Sequence, residues 1–163
     1  MNMDTQNKVV HVTKNGLNAL KAELEELARV KRPALVERLE RARQEGDLSE
    51  NSDYINAKEE LEFLDGRIDE LKEVVGNARV VSQNGNGNHV DIGTTVIVEQ
   101  NGDRNEFHIV GEWEADPMKK KISHESPLGK QLVGKKVGET AEVEAPAGIV
   151  IYKIVDIKKA SSD

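Results

Sequence analysis

From Leu17 onward the apolar positions fall at alternating three- and four-residue steps, through Leu20, Leu24 and Leu27. That spacing predicts an amphipathic helix with a coiled-coil seam, and Thr13 stands where its N-cap belongs. The rhythm then slips. Lys31 occupies the next seam position, Pro33 follows, and the seam resumes with Leu35, Leu39 and Ala42. Proline lacks an amide proton and crowds the preceding turn, so a kink or local break is expected between Val30 and Arg32. A second run keeps the heptad through Tyr54, Ala57, Leu61, Leu64, Ile68, Leu71 and Val75, and Gly76-Asn77 supplies the stop. The connection between the runs is short, so the helices run antiparallel as a hairpin about 40 Å long. Leu17 to Leu27 should face Leu64 to Val75, and Leu35 to Ala42 should face Tyr54 to Leu61.

Past the second helix the period becomes alternating. Arg79 to Ser82 can start a strand, and the Gly/Asn stretch Asn84 to Asn88 reads as a linker. It sets the expected domains at residues 1–82 and 83–163. Thr95 to Val98 and Phe107 to Val110 read as strands around the hairpin turn Asn101-Gly102. Ser126 caps a short helix opened by Pro127 and closed by Gly134. Thr140 to Val143 and Ile149 to Ile157 form a second hairpin around Pro146-Ala147-Gly148. The expected fold is α+β in two domains: an antiparallel coiled-coil hairpin, then a twisted antiparallel sheet with one short helix.

Composition narrows the function. No cysteine is present among 163 residues, which excludes a disulfide scaffold and a Cys-ligated zinc site. Charged residues make up 33% of the chain with mixed sign, which together with the periodicity argues for exposed helices rather than disorder. A net charge of −7 and 3% aromatic content disfavour wrapping along nucleic acid or stacking its bases. Met1 to Gln6 do not read as a signal peptide, and no apolar run is long enough to span a bilayer, so a cytoplasmic protein is expected.

The stretch from Glu45 to Tyr54, between the two helices, combines Gly46 with four acids, Glu45, Asp47, Glu50 and Asp53. Asp53 falls in the first turn of the second helix, where it complements the helix dipole. Asp47 and Glu50 lie three residues apart across a tight turn and can converge on one point. Paired hard oxygen ligands suit Mg²⁺, which keeps several waters and takes one or two carboxylates. Two carboxylates cannot close a cage, so the remaining ligands must come from another macromolecule. His11, His89, His108 and His124 show no ligand spacing, and no nucleophile elbow, phosphate-binding loop or cysteine nucleophile is present. Catalysis by this chain alone is not expected.

The run Arg41-Ala-Arg-Gln-Glu-Gly-Asp-Leu-Ser-Glu-Asn-Ser-Asp-Tyr54, followed by Asn56-Ala57-Lys58-Glu59, resembles the tip of the bacterial Gre transcript-cleavage factors. Arg32-Pro33, Ile122-Ser-His-Glu-Ser-Pro-Leu-Gly129, Leu132-Val-Gly134, Pro146-Ala-Gly148 and Tyr152-Lys-Ile154 extend the resemblance over nearly the whole chain. It implies a C-terminal FKBP-like domain, without prolyl isomerase activity, that grips RNA polymerase. It also implies a coiled coil that enters the polymerase secondary channel and stimulates cleavage of backtracked nascent RNA 3′ ends. By position Asp47 and Glu50 match the family's two essential acids, which help hold the polymerase's second catalytic Mg²⁺, with Asp53 accessory. Arg43 and Lys58 match a basic patch that contacts the RNA 3′ end. Ser49 replaces a residue that is basic in many members, and the small patch with acidic net charge favours the GreA type over GreB. The resemblance thus points to a monomeric cofactor of the polymerase rather than an enzyme. The alternative is a Gre-like paralogue that enters the same channel and inhibits transcription.

Overall fold

The computed structural model describes residues 8–47, 50–81 and 88–159. In chain order the elements are β1 (Val10–Val12), α1 (Lys14–Glu26), a π-helical turn (Leu27–Lys31), α2 (Arg32–Gln44) and α3 (Ser52–Asn77). They continue with β2 (Ala78–Val80), β3 (Thr94–Gln100), β4 (Asp103–Val110), β5 (Lys121–Ser123), α4 (Pro127–Leu132), β6 (Thr140–Ala145) and β7 (Gly148–Lys159). Leu17–Asn77 forms one compact unit, and the described residues before and after it form a second. The boundary expected at 82/83 and most of the expected linker lie outside the described residues.

The helical unit follows the seam. Thr13 Oγ1 accepts the Gly16 N–H at 3.0 Å and caps α1 as its position predicts. The expected interruption is a widened turn rather than a break, because the backbone stays in the α region at Lys31 and Arg32. The Arg32 N–H reaches five residues back to the Leu27 carbonyl. A π turn holds one more residue than an α turn. The seam therefore shifts by one position and continues from Leu27 to Leu35 beside Pro33, which has no N–H to give. Leu20, Leu27 and Ala42 are buried on one side of the hairpin, and Ala57, Ile68, Leu71 and Val74 on the other. In the last turn of α3, Val74 is buried where Val75 was expected, and Val75 is half-buried.

Three arginines tie the helices in antiparallel order. Arg67 meets Glu23 at 2.9 Å, Arg32 meets Asp65 at 2.6 Å, and Arg38 meets Glu60 at 2.9 Å and Asp53 at 3.0 Å. The hydrogen bond from Arg32 holds the Asp65 carboxyl below its ordinary value and raises the guanidinium. Arg32, at the end of the expected break, is thus a cross-helix clamp beside the π turn.

The second unit is a five-stranded sheet ordered β5-β4-β3-β7-β6. Asn101 and Gly102 join β3 to β4 with φ of 50° and 85°, the geometry that an Asn-Gly hairpin turn favours. One expectation needs correction. The sheet is not wholly antiparallel, because β5 runs parallel to β4 through the pairs His108–Lys121 and Val110–Ser123. The strand expected at Arg79 to Ser82 is β2, and it joins no neighbour in this sheet. It pairs in parallel with β1, Val12 opposite Val80, over the long crossover that parallel pairing requires.

A bulge shapes the core. Ile97 pairs with Asp156 but Val98 with Ile154, so Val155 is the extra residue in β7. The extra residue brings both Ile154 and Ile157 to the buried side, while Ile149 and Ile151 stay exposed. Val96, Val98, Ile109 and Leu132 complete the centre of that core. Ser126 Oγ accepts the Gly129 N–H at 3.0 Å and donates to the Ser123 carbonyl at 2.7 Å. A Cβ at Gly129 would collide with that same carbonyl oxygen. The Ser126-Pro127-Leu128-Gly129 segment therefore seats α4 against β5.

Candidate functional site

The hairpin closes through a turn built by local chemistry. Arg41 and Arg43 occupy the last turn of α2, where positive charge complements the dipole. The Glu45 N–H bonds the Ala42 carbonyl at 3.2 Å, and Gly46 reverses the chain at φ +135°, a conformation that favours glycine. Asp47 and Glu50 follow, both exposed, and Leu48 and Ser49 between them lie outside the described residues.

Asn51 then opens α3. Its Oδ1 accepts the Tyr54 N–H at 3.1 Å, and its Nδ2 donates to the Ala42 carbonyl at 2.7 Å. The orientation of the amide is forced, since an N–H cannot accept and a carbonyl cannot donate. One side chain thus caps the second helix and gives a carbonyl in the last turn of the first a second donor beside the Glu45 N–H. The sequence reading assigned Asn51 no role. Its legible signal was an Asn three residues before Tyr54, the first seam residue of α3.

Asp53 lies in the first turn of α3, as expected for a dipole partner. Its Oδ1 also receives both Arg38 Nη2 at 3.0 Å and Nε at 3.3 Å, so it staples the two helices together. That bond, with the one to Glu60, raises the Arg38 guanidinium above its usual range. Arg43 is exposed and sits 3.8 Å from Glu40 on its own helix. Lys58 is exposed in the second turn of α3.

Among the described residues, no three His, Asp or Glu side chains group closely enough to hold a metal ion. Asp47 and Glu50 fit a Mg²⁺ only as a partial donor set of hard oxygens on an exposed turn. The histidines serve the sheet unit. Thr95 Oγ1 and His108 Nδ1 lie 2.8 Å apart, and His11 and His124 meet edge to face at 6.1 Å. Among the described residues, no helix is long and apolar enough to cross a membrane.

Two family models divide the chain. Residues 10–80 match the N-terminal region and residues 84–159 the C-terminal region of transcription elongation factors GreA/GreB. The chain is 48% identical to transcription elongation factor GreA of Caldanaerobacter subterraneus subsp. tengcongensis, over 93% of this chain and 99% of that one. It is 46% identical to GreA of Bacillus subtilis strain 168, over 93% and 98% of the respective chains. A solved structure of GreA factor homolog 1 (Gfh1) from Thermus thermophilus matches at 28% identity and a TM-score of 0.45, covering 92% of this chain and 99% of that one. On the two family matches and the near full-length identity to GreA proteins, this chain belongs to the GreA/GreB family of transcription elongation factors.

Proposed function

We propose that this elongation factor delivers Asp47 and Glu50 through the secondary channel of RNA polymerase to the site where a backtracked RNA 3′ end lies. The observation that carries this reading is the placement of two exposed carboxylates on the turn between α2 and α3, at the end of a clamped helical hairpin. Asp47 and Glu50 offer hard oxygens to one side of a Mg²⁺ whose other ligands belong to the polymerase. A Mg²⁺ held there would supply Lewis-acid stabilisation and an activated water for phosphodiester hydrolysis. Asp53, engaged by Arg38, keeps the hairpin closed rather than acting as a ligand. Arg43 and Lys58 flank the turn and attract the phosphates of the extruded RNA. The chain acts as a monomeric cytoplasmic cofactor, with the bond cleaved in the polymerase's own active site and the sheet unit gripping the polymerase.

The test is cleavage of nascent RNA in backtracked complexes with Mg²⁺ and purified full-length chain. Wild type is expected to stimulate cleavage. Asp47→Ala and Glu50→Ala are each expected to abolish stimulation while still competing with wild type for the polymerase. Unchanged cleavage by both variants overturns the tip mechanism. Inhibition of transcription by the wild type without stimulated cleavage overturns the activator reading in favour of a channel-blocking paralogue.

A further inference from the structure

We propose that Asn51 is a positioning residue for the two tip acids, acting through its bond to the Ala42 carbonyl and not only as a helix cap. The inference rests on the tip mechanism proposed above. Asn51 touches neither RNA nor metal in this account. It acts by closing the turn that carries Asp47 and Glu50.

Ala42 and Asn51 are nine residues apart, and both acids lie in the segment between them. A turn of that length otherwise samples many backbone conformations, and each residue ordered at the moment of use carries an entropic cost. Fixing the two ends of the turn beforehand moves part of that ordering into folding, which is how a preorganised site gains effectiveness. The Asn51 amide is suited to this because its two ends serve different helices. The acceptor end fixes the start of α3 at Tyr54, and the donor end fixes the end of α2 at Ala42. The Ala42 carbonyl also receives the Glu45 N–H, so one acceptor gathers both sides of the turn. Ala42 is itself buried, which anchors this hub to the seam. Glu50 immediately precedes Asn51, so displacement of Asn51 moves Glu50 directly.

The two ends of the amide can be separated by substitution. Asn51→Asp keeps an acceptor for the Tyr54 N–H, and aspartate caps helices about as well as asparagine. It removes the donor and sets a carboxylate against the Ala42 carbonyl. Asn51→Ser keeps a capping oxygen and lacks the reach to Ala42, so it tests the same bond without added charge.

The experiment has two parts on the full-length protein. In the free chain, melting temperature and hydrogen exchange of the Tyr54 amide report the cap. Both variants are expected to hold these near wild type, whereas Asn51→Ala speeds exchange at Tyr54. In backtracked complexes, stimulated cleavage is measured against factor concentration and against Mg²⁺ concentration. At saturating factor, Asn51→Asp and Asn51→Ser are expected to lower the maximal rate roughly tenfold, within the range found for residues that orient metal ligands. The factor concentration for half-maximal effect stays near wild type, and the Mg²⁺ concentration required rises. If both cap-preserving variants stimulate cleavage like wild type, Asn51 is a helix cap alone and the positioning role is overturned. If Asn51→Asp is impaired and Asn51→Ser is not, the added charge is responsible and the role is likewise overturned. If the wild type itself fails to stimulate cleavage, the functional reading falls and takes this inference with it.

Discussion

The helical unit and the sheet unit are stabilised by different physics. In the sheet unit Val96, Val98, Ile109, Leu132 and Ile154 are completely shielded from water and gathered in one core. The hairpin has only a seam, with Leu71 and Ala57 fully shielded and Leu20, Leu27 and Ile68 nearly so. It adds ion pairs between exposed or half-buried side chains, at Arg32–Asp65, Arg38–Asp53 and Arg67–Glu23. Exposed pairs contribute little individually and weaken in salt. The difference suits the proposed division of labour. A closed core gives a stable gripping surface, whereas a two-helix seam gives a slender element that presents its tip.

The largest effect that can break this comparison is a cavity in the sheet core. Ile154→Ala is expected to destabilise the sheet unit by about 3–5 kcal/mol, because the surrounding strands cannot collapse onto the space. Trp113, the chain's only tryptophan, lies in that unit, so its fluorescence reports the loss. Leu71→Ala in the seam is expected to cost less, about 2–3 kcal/mol, since a two-helix interface relaxes more readily. Far-UV circular dichroism, dominated by the helices, follows that loss. Equal costs at the two positions would show that the seam packs as rigidly as the core.

Charge substitutions sharpen the comparison further. Arg43→Glu is expected to reduce stimulated cleavage severalfold without lowering the helical signal. No change in cleavage would remove Arg43 from the RNA-contacting patch. Arg38→Met cuts the staples to Asp53 and Glu60, and the resulting drop in melting temperature is expected to shrink as salt is raised. A salt-independent drop would mean that the arginine stem, not its charge, holds the helices.

The smallest effect concerns pH. Asp65 has a lowered pKa in the folded hairpin because Arg32 bonds its charged form. Its contribution is therefore complete above its ordinary value of 3.8 and is lost as pH falls through the lower folded value. The difference in melting temperature between wild type and Asp65→Asn should be present at neutral pH and fade below that value. A difference that grows on acidification would contradict the pairing.

Much of the site was legible because its determinants are local. Each heptad run is read from spacing along a single helix, the glycine reversal at Gly46 and the acids at Asp47 and Glu50 sit within a few residues of one another, and resemblance then attached a chemistry to them. Asn51 was not legible as a clamp, because its second partner, the Ala42 carbonyl, lies on the other helix. Asp53 was legible as a dipole partner and not as a staple, since Arg38 is 15 residues away.

The same physics separates what the amino-acid order determined from what the tertiary structure decided. Side-chain spacing and turn residues specified the helices, the cap at Thr13, the Asn101-Gly102 turn and the Ser126-Pro127 helix start, because each depends on neighbours along the chain. The slip at Lys31 announced an irregularity, and packing against α3 accompanies its resolution as a π turn with Arg32 clamped to Asp65. Only long-range hydrogen bonding decided that β1 pairs with β2, that β5 runs parallel to β4, and that Val155 bulges so that Ile154 and Ile157 share a core. Those choices depend on backbone groups that meet only after the chain has folded, and no local pattern encodes which of them will meet.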